Sequence, residues 1–288
     1  MHPLYAAVSI ENHVEITNYS EQRKTPGFLN SETFKDREYP LQHTNFRILA
    51  LGDSFTEGQE LRHDGTWPKL TEQELHRLGW EDVEILNGGR LDTDTKEQLE
   101  ILRTRGLKYN PDLVIVAFLL NDCSEICATC GIRDLMQKHS QLRSKKKPHS
   151  SALLSFLQQT FLRNHITRET IEEYKIPYST ENPLYQECTK AFEDMKQLAD
   201  ERGFPLVVVL YPILYKLDDY PFSEIHKHML SFFESIHVPA YDLLPYLAGH
   251  RDTDLWLQQY DSHPNRTANQ LVSKGIAQIL LPYRTQQK

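Results

Sequence analysis

Apolar positions in this chain fall into short, strand-length runs separated by stretches of helical spacing. Phe46-Arg47-Ile48-Leu49-Ala50-Leu51 is a buried-strand pattern ending at Gly52. Trp67–Leu78 follows with Leu70, Leu75 and Leu78 at helix spacing, opened by Thr66 and Pro68 and closed by Gly79. Val83–Leu86 predicts a second strand, and Thr95 with Gln98 has capping-box spacing ahead of a helix carrying Leu99, Leu102 and Leu107. Asn110-Pro111-Asp112 turns into Leu113-Val114-Ile115-Val116-Ala117-Phe118, apolar on both faces, as parallel strands covered by helices are. Leu184–Arg202 reads as a helix stopped by Gly203, Pro205–Tyr211 as a fourth strand, Phe222–Ile236 as a helix, Val238–Tyr241 as a fifth strand and Thr267–Leu281 as the closing helix. This alternation predicts an α/β fold, a doubly wound parallel sheet of about five strands with right-handed crossovers.

Two regions break the rhythm. Residues 1–45 are polar and irregular, with a break at Pro26-Gly27, and read as an N-terminal arm; the remainder, 46–288, reads as one domain. Within it, 123–183 holds Cys123, Cys127 and Cys130, a basic Arg143–Lys147 stretch and a helical tract. It reads as an insertion near the carboxyl ends of the strands, where open α/β sheets bind ligands, and so as a candidate lid.

Composition narrows the function classes. With 40 acidic against 32 basic residues in 288, the net charge of -8 disfavours a general nucleic-acid binder, whose affinity comes from neutralising phosphates. The longest apolar runs, Leu113–Leu120 and Leu206–Tyr211, fall far short of the roughly 18 residues of a membrane span. The first ten residues lack the basic and apolar regions of an export signal, so the expected compartment is cytoplasmic, or periplasmic or extracellular if an upstream segment precedes this sequence. Four cysteines favour a reducing compartment, with Cys123, Cys127 and Cys130 read first as free thiols. A disulfide, a zinc site using Cys188 or a histidine, and the three-cysteine spacing of an iron–sulfur site are the alternatives.

The candidate chemistry begins at Gly52-Asp53-Ser54-Phe55-Thr56-Glu57-Gly58, directly after the first strand. A serine on a tight strand-to-helix turn presents its hydroxyl at the rim of the sheet, beside N–H groups able to receive an oxyanion. It needs a base, and His263 stands near the far end, just before the last helix, in Tyr260-Asp261-Ser262-His263-Pro264-Asn265. Between them, Leu119-Leu120-Asn121-Asp122 ends the third strand, and the Asn121 amide is a side-chain donor. No histidine spacing resembles a metal motif, and Asp92-x-Asp94 lacks the Gly-rich phosphate loop that would make it a metal pair of a sugar transferase.

In order and position, Gly52–Gly58, Asn121-Asp122 and His263-Pro264-Asn265 resemble three of the sequence blocks of the SGNH, or GDSL-type, hydrolases. The resemblance runs from about Asn30 to Leu281, and Asn30–Glu38 is similar to a segment upstream of the nucleophile in bacterial members. It implies a three-layer flavodoxin-like fold, a serine esterase without cofactor, and a small-molecule, carbohydrate or lipid ester as substrate. Acyl transfer to a sugar or lipid acceptor, or a binding module that has lost turnover, are the alternatives. Carried over, Ser54 is the nucleophile and an oxyanion donor, Asn121 a second donor and His263 the base.

Two positions depart from the family pattern. The glycine expected about five residues after Asn87 is Asp92, so the third oxyanion donor falls to the backbone of Asp92 or of Gly89. The acid expected three residues before the histidine is Tyr260, so Asp261 takes that role, with Asp254 or a serine–histidine dyad as alternatives. Asp53 and Asp122 are read as structural.

Overall fold

The structure is a computed structural model that describes residues 29–123, 135, 137, 138, 141, 152–259 and 261–286, with only the backbone for 152–163 and 286. Its central sheet contains β1 (Phe46–Leu51), β2 (Val83–Asn87), β3 (Leu113–Phe118), β4 (Leu206–Leu210) and β5 (Ala240–Asp242), all parallel, in the order β2-β1-β3-β4-β5. This is the flavodoxin-like order, and the chain reverses its direction of winding between β1 and β3. The first four strands are buried at every position, so helices must cover both faces.

The helices divide accordingly. α1 is the single turn Ser54–Glu57; α2 (Trp67–Arg77) packs with α8 (Arg266–Leu280) on one face. On the other face α3 (Thr95–Thr104) packs with α5 (Pro183–Arg202), and Phe192 of α5 meets Phe233 of α6 (Ser223–Ser235) edge to face at 4.7 Å. α4 (Ala152–Lys175) lies in the predicted insertion, which is tied to the sheet where the Tyr178 hydroxyl donates to Leu120 O at 2.7 Å. No helix among the described residues is long and apolar enough to cross a membrane.

Three features differ from the sequence reading. The capping box of α3 is Asp94 with Glu97, one residue earlier than expected. Thr95 and Gln98 face inward instead, and Gln98 Nε2 donates to Asp122 at 2.9 Å. After the short helix α7 (Leu244–Leu247), β6 (Trp256–Gln258) and β7 (Asp261–Pro264) form an antiparallel hairpin outside the main sheet, which the periodicity did not predict. Finally, Cys123 is not a free thiol: it forms a disulfide with Cys188 of α5, 65 positions away. That bond removes Cys123 from any three-cysteine metal motif; Cys127 and Cys130 lie outside the described residues.

Residues 29–45 run along the edge of the sheet. Phe34 and Tyr39 are buried, and Arg47 of β1, fully buried, pairs with Glu84 and donates to Pro40 O and Tyr109 O.

Candidate active site

The turn that carries Ser54 is shaped by its neighbours. Gly52 has φ 151°, and a Cβ there would lie 2.2 Å from Thr56 Oγ1, so only glycine lets β1 turn this sharply into α1. Asp53 caps α1, accepting from Phe55 N at 2.9 Å. Ser54 is therefore the first helical residue, where the N–H has no intrahelical acceptor and points outward from the helix start. Ser54 is half-buried at the carboxyl end of β1.

His263 comes from the hairpin. Its Nε2 is 3.0 Å from Ser54 Oγ, although the two residues are 209 positions apart. Its Nδ1 is 2.5 Å from Asp261 Oδ1, which also accepts from the His263 backbone N–H at 3.0 Å. The two-residue offset between acid and base follows from the local structure. Alternate side chains of an extended strand share a face, so Asp261 and His263 of β7 sit side by side. Asp254 is elsewhere, on the exposed Arg251 side chain. The ring of Phe55 packs 5.6 Å from the His263 ring and edge-on to buried Tyr211, closing the apolar side of the site.

Asn121 lies in the turn after β3, and its Nδ2 donates to Asp53 Oδ2 at 3.0 Å. Asp53 thus holds both α1 and the Asn121 amide, which carries a second N–H. Asp122 accepts from Leu119 N at 2.8 Å and from Gln98, shaping the same turn. Burial pushes the carboxyls of both Asp53 and Asp122 up. The charge of Asp53 adds to the rise at Asp122, while the N–H of Phe55 and the Asn121 amide oppose it at Asp53.

The loop after β2 is bound to the serine turn through Arg90 N to Gly52 O at 3.0 Å. Gly89 packs against α1 itself, and its N–H donates to Asn87 Oδ1 at 3.0 Å, so this expected donor is already engaged inside its own loop. Asp92 has φ 56°, the left-handed region that glycine occupies freely and aspartate tolerates, and its side chain is exposed. The position therefore suits glycine or aspartate, and the Asp92 carboxylate is turned to solvent.

No family model matches the sequence, and no curated protein matches it significantly. Among solved structures it is similar to a two-domain esterase active on acetylated mannans, at 15% identity and a TM-score of 0.50 over 83% of this chain and 49% of that one. It is also similar to a lipolytic protein of the G-D-S-L family from Desulfitobacterium hafniense DCB-2 (14%, TM-score 0.48, 82% of this chain and 100% of that one). A third is a lipase/acylhydrolase from Enterococcus faecalis (15%, TM-score 0.48, 84% and 97%). At such identities the likeness is one of architecture: the chain shares the α/β fold of that two-domain esterase.

Proposed function

We propose that this protein is a serine-dependent ester hydrolase in which Ser54 is the nucleophile, His263 the general base and Asp261 the acid that orients it. The observation that carries the reading is the continuous line from Ser54 Oγ to His263 Nε2 at 3.0 Å and from His263 Nδ1 to Asp261 at 2.5 Å. A serine hydroxyl becomes a competent nucleophile only when a positioned base takes its proton, and a carboxylate on the far nitrogen fixes the tautomer that can do so.

In this reading His263 deprotonates Ser54 as the hydroxyl attacks the ester carbonyl, and the imidazolium is stabilised by Asp261. The tetrahedral oxyanion is held by the Ser54 N–H at the start of α1 and by the second N–H of Asn121, which Asp53 orients. His263 then protonates the departing alcohol and activates the water that releases the acid. Gly89, whose N–H is engaged, is not assigned a role, and the Asp92 backbone stands as the candidate third donor.

Ser54→Ala abolishes hydrolysis of a short aryl acetate, a loss of at least about 1000-fold, while leaving the unfolding midpoint within a few degrees of the parent. Full activity in that variant would sink the assignment. The Cys123–Cys188 disulfide further supports an oxidising compartment rather than the reducing one expected from the cysteine count.

A further inference from the structure

A second carboxylate stands beside the Asp261–His263 pair. Glu60 follows α1 in a left-handed conformation, φ 59°, which residues bearing a Cβ rarely adopt. Neighbours on both sides hold it there. Lys35, 1% exposed, donates from Nζ to Gly58 O and Leu61 O, both at 2.6 Å, gripping the carbonyls on either side of Glu60. Glu60 Oε2 accepts from Gln258 Nε2 at 2.9 Å. Gln258 lies in β6 directly opposite Asp261 in the hairpin ladder. The loop that begins at Ser54 is thus joined to the strand next to the acid.

We propose that Glu60 is a positioning residue, which clamps the Ser54 loop to the Asp261–His263 hairpin. The inference rests on the esterase reading of the same site. The charged groups facing Glu60 are Asp261 and His263 on β7 and Lys35 on the segment before β1. Burial first, and the charge of Asp261 second, push the Glu60 carboxyl up; the Gln258 amide, His263 and Lys35 favour its charged form.

Glu60→Gln keeps an oxygen for the Gln258 amide, whereas Glu60→Ala and Gln258→Leu each remove the clamp. Labelling of Ser54 by a fluorophosphonate reads the effect: Glu60→Ala and Gln258→Leu slow it about tenfold at an unchanged unfolding midpoint, and Glu60→Gln stays within about twofold of the parent. Hydrogen exchange of the β6–β7 amides is faster in Gln258→Leu than in the parent. An unaltered labelling rate or unaltered exchange in Gln258→Leu, or a Glu60→Gln variant as slow as Glu60→Ala, overturns the proposal. Failure of the esterase reading looks different, since the parent protein then goes unlabelled; hydrogen exchange needs no turnover and still decides the role of Glu60.

Discussion

Gly89 has no side chain because the backbone of α1 lies where one would be: a Cβ there would come within 2.3 Å of the Glu57 nitrogen. Backbone cannot swing aside as a flexible side chain can, so Gly89→Ala must displace either the serine turn or the β2 loop. Overpacking of this kind costs about 2 kcal/mol or more, and urea unfolding together with the rate of Ser54 labelling checks it, both falling in the variant. The sequence shows Gly88-Gly89 as a pair of glycines but not which one bears the helix. Asp92 is the converse case. Its identity looks like a defect in an oxyanion loop, yet the position asks for a left-handed backbone, and aspartate meets that demand with its charge facing water. Glu60 was not singled out by any motif, and its one sequence-level signal is proximity to the Ser54 block.

At the scale of elements, strand β7 decides which carboxylate meets the His263 ring. A turn at the same place would favour an acid three residues away, whereas an extended strand pairs residues two apart, and so Asp261 meets the ring. The start of α3 shows a similar competition. Both Asp94/Glu97 and Thr95/Gln98 have the required spacing, and the acidic pair takes the cap because a carboxylate suits a helix N-terminus and Gln98 is needed against Asp122. The disulfide ties the turn of Asn121 and Asp122 to α5, and a bridge across 65 positions contributes about 4 kcal/mol by restricting the unfolded chain. Cys188→Ser is expected to lower stability in denaturant by that order. It also slows Ser54 labelling in the folded protein, because the Asn121 turn loses its tether; reductant applied to the parent reproduces both effects.

Across the whole molecule, the segment before β1 is where distant parts of the site converge. Asp36, buried, accepts from His63 Nε2 at 2.6 Å and from Asn87 N at 2.7 Å, and pairs with Lys69. Burial pushes its carboxyl up, but the His63 hydrogen bond, the charges of Lys69 and His63 and the Asn87 N–H outweigh it and hold the group below the ordinary aspartate range. A carboxyl lowered on folding stabilises the folded state above its unfolded-state pKa, about pH 4, and that stabilisation fades as pH falls through the folded-state value. Asp36→Asn is therefore expected to cost about 3 kcal/mol near neutral pH and progressively less below pH 4, as chemical unfolding across pH measures.

The alternation of apolar runs and helical spacing by itself determined the five parallel strands, their covering helices and the rim on which Ser54 and Asn121 stand. These depend on local periodicity and on turn residues such as Gly52, which a sequence displays directly. The order of the Ser54, Asn121 and His263 blocks likewise pointed to the chemistry. Tertiary structure alone decided the hairpin that brings His263 to Ser54 and the bond between Cys123 and Cys188. It also decided that Glu60 reaches Gln258. Each of these joins positions by hydrogen-bond or covalent geometry. A hydrogen bond needs its atoms within about 3 Å, and only the packed chain brings residues from different loops that close.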